Sequence, residues 1–389
     1  MKGPATRASD LRRSEIRVLF DAASKRDDVI RLEVGEPSFT TPEHIIEAAA
    51  QAARDGFTGY GPNGGLSSLK ELLVDKLARV DGIVATPDEV IVTPGGMNAL
   101  FSTYLALLDP GDQVLLPTPG FPNMDEMVRL VGAEPIFYPL EASAGFLPDP
   151  GRIEHLATDR TKILFINTPA NPTGAVFPGD LVQELVELAA RLDLWLLSDE
   201  VYDEMILNPD MSHTAAAPFD SDGRVVSVFS FSKVYAMTGW RVGYAVAPPA
   251  LAQILRTLQE PQVSCPSTIS QKAAEAALTG PREPIDRMLA SYRKRRDICL
   301  ERFTRFGLRA VPSDGTLYMM VNIEESGLDG IDFALWLLDE HGVSVAPGSV
   351  FGPGGQGWIR ISLAADDQVL EEGIERIAKA VKSNQGVKA

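Results

Sequence analysis

Apolar and polar residues alternate along this chain with two different periods. From Leu11 to about Lys25, Ile16, Leu19 and Phe20 recur at helical spacing, and Val29-Ile30-Arg31-Leu32-Glu33-Val34 then alternates as a strand does. Pro42-Glu43 opens a helix predicted to run through Ala53, with Thr41 as its N-cap and Pro42 in the first helical position. Beyond it, β-rich runs at Val90–Thr93, Val114–Pro117, Ile163–Ile166, Leu194–Leu197 and Val225–Phe229 are separated by helical segments. That alternation predicts an α/β fold, with a mostly parallel sheet covered by helices on both faces. Val242–Val246 follows the preceding run too closely for a helical crossover, so it is predicted to run antiparallel to its neighbour. After Pro281 the texture changes to a long helix through Arg305, short strands near Leu317–Val321 and Ile359–Ser362, a last helix over Gln368–Lys382, and a tail expected to fray after Ser383. The division this implies is an N-terminal arm with part of a small domain over 1–45, a large domain over 46–281 and a small α+β domain over 282–389.

Composition narrows the function. With 389 residues, 45% of them hydrophobic and 23% charged, the chain can bury an ordinary globular core. A net charge of −17 repels phosphate backbones and anionic lipid, so neither nucleic acid nor membrane is an expected partner. The basic run Arg293-Lys294-Arg295-Arg296 sits in a helical pattern and is predicted to be a solvated face. Cys265 and Cys299 form no metal or redox motif, the start of the chain lacks a signal-peptide core and carries Asp10, Glu15 and Asp21, and no apolar run could span a bilayer. A cytoplasmic location is the expectation. His44, His155, His213 and His341 have no metal-binding spacing and are predicted at the surface or in loops, so no metal is expected.

In open α/β sheets ligands bind beyond the carboxyl ends of the parallel strands, and the unusual residues of this chain fall there. Thr93-Pro94-Gly95-Gly96-Met97-Asn98, Asn171-Pro172-Thr173-Gly174, Ser198-Asp199-Glu200-Val201-Tyr202 and Ser230-Phe231-Ser232-Lys233 each follow one predicted strand. Gly95-Gly96 at a helix start can offer free N–H groups to an anion, although a Gly pair is more often only a tight turn. Neither the dinucleotide nor the nucleoside-triphosphate fingerprint is present. Asp199, ending an apolar strand, needs a cationic partner or a shifted pKa, unless it caps the next helix.

The segment Ser230-Phe231-Ser232-Lys233-Val234-Tyr235-Ala236-Met237-Thr238-Gly239-Trp240-Arg241-Val242-Gly243-Tyr244 closely resembles the cofactor-lysine segment of class I aminotransferases, the aspartate aminotransferase family of pyridoxal-phosphate enzymes. The resemblance extends from Gly35-Glu36-Pro37 through Tyr60, Gly95-Gly96, Asn171-Pro172-Thr173-Gly174 and Asp199-Glu200-Val201-Tyr202 to Ile359-Arg360-Ile361-Ser362. It implies fold type I, with a seven-stranded sheet, pyridoxal 5′-phosphate as cofactor, and a homodimer with shared active sites.

By the same resemblance, Lys233 is the Schiff-base lysine and the base that moves the substrate α-proton. Asp199 pairs with the pyridine nitrogen so that the ring can absorb electrons, and Tyr202 and Asn171 address the ring's phenolic oxygen. Gly95, Gly96, Met97, Ser230 and Arg241 belong to the phosphate cup, reached by Tyr60 from the partner subunit. Arg360 grips the substrate carboxylate, with Asn171 and Gly35 beside it, and Phe121 stacks on the cofactor. Taken singly, Tyr60 reads as a loop anchor and Phe121 as core, while Tyr318, after Gly315-Thr316-Leu317, reads either as a substrate contact or as packing in the small domain. Two departures bear on substrate. Met97 stands where some aspartate-using relatives carry a lysine, and Phe121 lacks a tryptophan N–H, so the resemblance leaves the donor open between a dicarboxylate and a neutral, aliphatic or aromatic amino acid, with 2-oxoglutarate or pyruvate as candidate acceptors.

Other readings compete. Ser230-Phe231-Ser232-Lys233 also fits the Ser-x-x-Lys of acyl-transferring serine enzymes, but Ser-Asp-Asn and Lys-Thr-Gly are absent. A carbon–sulfur β-lyase of the same fold would share most of these residues. A binding module on a dead enzyme fold would have lost the lysine or the aspartate, and both are present.

Overall fold

The structure, a computed structural model, describes all residues other than 1–2, 6–8, 10, 12–14, 27 and 384–389. Part of the expected first helix, the side chain of Ile16 and the tail after Ser383 thus lie outside the described residues. In chain order the strands are β1 (Ile30–Arg31), β2 (Val90–Thr93), β3 (Gln113–Thr118), β4 (Glu134–Pro139), β5 (Thr161–Asn167), β6 (Trp195–Asp199), β7 (Val225–Ser230), β8 (Gly243–Val246), β9 (Tyr318–Asn322), β10 (Val343–Ser344), β11 (Ala346–Pro347) and β12 (Trp358–Ser362).

Seven of them form the central sheet in the order β2-β8-β7-β6-β5-β3-β4. All pairings are parallel except those of β8, which runs antiparallel to both β2 and β7. Because side chains alternate across a strand, neighbouring apolar residues feed two different cores. Leu115, Leu164 and Leu196 pack on one face with Val182 and Leu185 of helix Gly179–Arg191. Leu116, Phe165 and Leu197 pack on the other with Leu100 of helix Gly96–Leu107 and Leu251 of helix Pro249–Val263. Double coverage explains why these strands read as continuous apolar runs. Each fully buried Leu contributes about 1.5–3 kcal/mol.

β4 was not evident in the sequence, because it carries Pro135 and Pro139. It is the edge strand, the place where a missing N–H costs least. The alternating Val29–Val34 run is a strand for two residues only, pairing parallel with β10. Strands β11, β12 and β9 form a separate antiparallel sheet.

Helix Glu43–Arg54 forms without Thr41 as its cap. The Thr41 hydroxyl instead donates to the Ala236 carbonyl at 2.6 Å and accepts from Trp240 Nε1 at 3.0 Å, tying this segment to the lysine loop. The long helix is Glu283–Arg305 and the last is Asp367–Ser383. The basic run of the long helix is only half solvated. Arg293 and Lys294 are exposed, but Arg295 is buried and donates to Ser38 Oγ, the Leu363 carbonyl and Asp367. Among the described residues no helix is long and apolar enough to cross a membrane, and no group of three or more His, Cys, Asp or Glu is placed to hold a metal ion.

Candidate active site

Strand register sets the site. Asn167, Asp199 and Val228 lie side by side on β5, β6 and β7, so the segments after these strands leave the sheet at one edge. A cavity of about 580 Å³ opens there. Gly35, Gly96, Met97, Phe121, Asn171, Asp199, Tyr202, Ser230, Lys233, Arg241 and Arg360 all line it. Of the residues singled out in the sequence, Gly95 lies just behind this wall and Tyr60 is elsewhere.

One end of the cavity is built for an anion. Helix Gly96–Leu107 begins at the cavity wall, and its first-turn N–H groups have no intrahelical acceptor. Gly95 before it has φ +82°, and a Cβ there would sit 2.5 Å from Arg241 Nη2. Only glycine both takes this backbone and lets the guanidinium come close. Arg241, itself at φ +52°, donates through Nη1 to the Thr238 carbonyl at 2.7 Å and keeps the rest of its fork for the cavity. Ser230 and Ser232 complete this wall.

Lys233 is half-buried rather than solvated. Its Nζ donates to the Gly35 carbonyl at 2.6 Å and stands 5.8 Å from the centre of the Tyr202 ring. The Tyr202 hydroxyl donates to Tyr318 Oη at 3.2 Å, and Tyr318 reaches the Gly35 carbonyl at 3.4 Å. Burial and the neighbouring Tyr318 push the Tyr202 phenol up. Burial also raises the Tyr318 phenol, but Lys233 and Arg360 more than offset it, and its net direction is down. A Cβ on Gly35 would fall 2.2 Å from Tyr318 Oη, which accounts for a glycine at this place.

Asp199 and Glu33 are buried carboxyls on the cavity wall, Glu33 held by Arg31 and Asp199 without an ion-pair partner of its own among the described residues. Asp199 Oδ1 accepts a long 3.4 Å hydrogen bond from Val201 N–H. Burial pushes the group up to about 7, with the Val201 N–H and Lys233 opposing and Glu200 adding to the rise. A cation placed against it would hold it ionised.

Opposite, Arg360 is 3% exposed and donates to Asn171 Oδ1 at 2.9 Å and to the Glu33 carbonyl at 2.8 Å. Its guanidinium lies 4.1 Å from the Tyr318 ring centre and 4.9 Å from that of Phe351, which fix its plane. Two of five N–H donors are used within the chain, and Nε is buried with no partner. A guanidinium with donors to spare in a fixed plane can take a carboxylate by paired, charge-assisted hydrogen bonds.

Tyr60 is 92% exposed. It does not anchor its loop, whose backbone is held by Thr268 Oγ1 on the Phe57 carbonyl at 2.6 Å and by Cys265 Sγ on Gly61 N–H at 3.3 Å. Several lining residues were given no site role from the sequence, Phe20 and Glu33 among them. Tyr318 stood after Gly315-Thr316-Leu317 with both a substrate and a packing reading, Phe20 carried only a helical spacing, and Glu33 was one position in an alternating run. Its neighbours Gly35-Glu36-Pro37 were the only signal that Glu33 borders a site. His213, expected at the surface or in a loop, lies in the loop after β6 with its side chain buried against Glu200.

These residues fit pyridoxal 5′-phosphate on this chain's own observations. The cup that a Gly95 Cβ would fill suits the phosphate, the raised Asp199 carboxyl suits a protonated ring nitrogen, and Lys233 supplies the amine between them. Comparisons with known proteins point the same way. Residues 27–377 match the family model for aminotransferase class I and II. The chain is 38% identical to a probable aspartate/prephenate aminotransferase of Thermus aquaticus, over 98% of this chain and 97% of that one. It is likewise 38% identical to an aspartate aminotransferase of Pyrococcus abyssi, over 96% of each. Among solved structures it superposes on a double mutant of Thermus thermophilus aspartate aminotransferase with a TM-score of 0.93 at 36% identity, covering 98% of this chain and 100% of that one. An aromatic aminotransferase from Pyrococcus horikoshii gives 0.89 at 37% identity, covering 94% and 99%. These relatives are named as aminotransferases, and the carbon–sulfur lyase reading finds no support among them. With the cavity, the fold and this likeness in agreement, the chain belongs to the class I and II aminotransferases, enzymes that use pyridoxal 5′-phosphate to move an amino group from an L-amino acid to a 2-oxo acid in two half-reactions.

Proposed function

We propose that the amino donor is a neutral amino acid with an aliphatic or aromatic side chain, and that 2-oxoglutarate or pyruvate is the acceptor. One observation carries this. Every cation lining the cavity is already committed, Lys233 as the amine, Arg241 at the anion cup and Arg360 at the α-carboxylate. The apolar part of the wall is Phe20, Val34, Met97, Leu100, Phe121 and Pro122, the other charged side chains on it, Glu33, Glu36 and Asp199, are acidic, and its remaining polar residues, Asn123, Ser232 and Thr238 among them, are neutral. A distal carboxylate against that surface would lose its hydration for no counter-charge. A panel of amino donors against 2-oxoglutarate and pyruvate tests the proposal, and a kcat/KM for aspartate above that for every aliphatic or aromatic donor would overturn it.

The cofactor, when bound, supplies an aldehyde that captures the amine and a protonated ring that takes up the electrons released at the α-carbon. Binding, orientation and proton transfer fall to side chains. Arg241, Ser230 and the N–H groups of Gly96 and Met97 hold the phosphate, with Gly95 allowing the close approach. Asp199 holds the proton on the ring nitrogen. Tyr202 and Asn171 address the phenolic oxygen, and Phe121 covers the ring face. Arg360, assisted by Asn171 and Gly35, fixes the α-carboxylate and so chooses which α-bond faces Lys233, whose Nζ takes up the α-proton and returns it.

The exposed Tyr60 supports a homodimer in which this phenol enters the partner's phosphate cup. A large aromatic ring held out on an anchored loop is the feature such an arrangement needs. The division at residues 45 and 281 is supported by the strands, since β2 to β8 of the seven-stranded sheet all fall between them and β9, β11 and β12 of the three-stranded sheet all fall after 281. Two free cysteines support a reducing, cytoplasmic setting.

A further inference from the structure

Behind the turn that carries Asp199 and Tyr202 lies a second group of charges that the reaction leaves unused. Asp199 and Tyr202 line the cavity, whereas Glu200 and Asp203 are buried away from it. Glu200 continues the pairing of β6 with β7, donating its N–H to the Val228 carbonyl at 2.8 Å. Its Oε1 accepts from Ser227 Oγ at 2.8 Å and from Ala216 N–H at 3.4 Å, and Oε2 meets His213 Nε2 at 2.9 Å. The Glu200 and His213 side chains are 0% and 6% exposed. Beside them, Lys76 holds Asp203 and, at 2.8 Å, Asp81, and stands 4.8 Å over the ring of Phe229.

The pair is over-built for a hinge of the fold. A neutral amide could satisfy Ser227 and Ala216 as well as a carboxylate does, and a buried carboxylate is unfavourable unless paired. What the charge adds is a field, felt by the residue directly before it in the chain. Burial lowers the proton affinity of His213, but Glu200, Asp203 and Asp81 outweigh it and the net direction is up, and its Nε2 at 2.9 Å from the buried Glu200 Oε2 places the imidazole to serve as a counter-charge when protonated.

We propose that Glu200 and His213 are positioning residues for Asp199: the Glu200 carboxylate fixes the turn and makes the ring-nitrogen end of the cavity more negative, and the His213 imidazole limits how much of that charge is felt. The proposal rests on Asp199 being the partner of the ring nitrogen.

Opposite signs test it. Glu200→Gln keeps the hydrogen-bonding shape and removes a negative charge; His213→Gln keeps a donor to Glu200 and removes a positive one. On the holoenzyme, the pH midpoint of the cofactor's visible band and the 15N shift of cofactor labelled at the ring nitrogen are measured for both. Glu200→Gln should lower the midpoint by ~0.5 unit or more, His213→Gln should raise it by a similar amount, and the double variant should return towards the starting value. The 15N shift should move towards the neutral ring in the first and away from it in the second. A merely structural pair would move both single variants the same way or neither, and either result overturns the proposal. If His213→Gln gives no folded holoenzyme, folded Glu200→Gln decides alone: a lowered midpoint supports the proposal and an unchanged one overturns it. Asp199→Asn separates the two levels. If it leaves band and 15N shift unmoved, the reading of Asp199 has failed; if it moves them while Glu200→Gln and His213→Gln do not, only the positioning pair has failed.

Discussion

Asp199→Asn in the cofactor-free chain measures what it costs to bury this carboxyl. An Asp near 3.8 when unfolded is pushed up to about 7 in the fold, chiefly by burial. Folding therefore takes up a proton between those values. The stability associated with the raised group is fully present below the unfolded value and is lost as pH rises through the folded one. From these two values the loss is on the order of 2 kcal/mol at pH 5 and on the order of 4 kcal/mol at pH 8. Asn does not titrate, and its amide oxygen still accepts from Val201 N–H. The stability of Asp199→Asn minus that of the parent, both free of cofactor, should thus grow by about 2–3 kcal/mol between pH 5 and pH 8. Urea unfolding of both at one fixed protein concentration, followed by tryptophan fluorescence and far-ultraviolet dichroism, reads this difference. With pyridoxal 5′-phosphate bound the advantage should vanish or reverse, because a protonated ring nitrogen repays the ionised carboxylate. A stability difference that stays flat with pH, or that shrinks towards pH 8, would refute the reasoning.

Three further outcomes follow from the same site. Lys233→Ala should lose the visible absorbance of the linked cofactor and all α-proton exchange in deuterated water, while its far-ultraviolet spectrum stays that of the parent. Arg360→Lys keeps the charge but loses at least one charge-assisted hydrogen bond of about 1.5–3 kcal/mol, so kcat/KM should fall roughly 10- to 150-fold with cofactor occupancy unchanged; a change under about threefold would remove Arg360 from the carboxylate site. Met97→Lys places a cation on the apolar wall, and the ratio of kcat/KM for aspartate to that for an aromatic donor should rise at least about tenfold, the equivalent of ~1.4 kcal/mol; an unchanged ratio would mean that position 97 does not face the donor side chain.

The sheet was legible because its strands are buried on both faces and are rich in Val, Ile and Leu, which leaves little ambiguity in an α/β alternation. What failed to show was decided by tertiary partners. β4 contains two prolines and was hidden until its edge position was known. Thr41 has a good cap sequence, yet its hydroxyl is better used between Ala236 and Trp240. Arg295 sits in a basic run that reads as solvated, and only the fold brings Ser38, Leu363 and Asp367 to it from distant parts of the chain. The site divides in the same way. Asp199, Ser230 and Lys233 could be found because ends of parallel strands are the expected place for ligands, and Arg360 because its motif carried it. Tyr318, Phe20 and Glu33 come from the three-stranded sheet and the N-terminal segments, and nothing local marks them as neighbours of Lys233.

Buried charge is handled in two ways in this molecule, and the contrast locates function. Away from the cavity it is paired: Lys76 with Asp81 and Asp203, Arg295 with the last helix and Ser38, Glu200 with His213. At the cavity it is left short. Glu33 on its wall is held by Arg31, but Asp199 has one long hydrogen bond and a strongly raised proton affinity, and Arg360 Nε is buried without a partner. Groups in that state each cost on the order of 1–3 kcal/mol, so the chain is less stable for carrying them. A ligand that brings a cation to Asp199 and a carboxylate to Arg360 removes both deficits together, and it binds the native state only. Cofactor and substrate must therefore stabilise the fold through the same contacts that orient the reaction, and the residues that destabilise the empty protein most are those on which turnover depends.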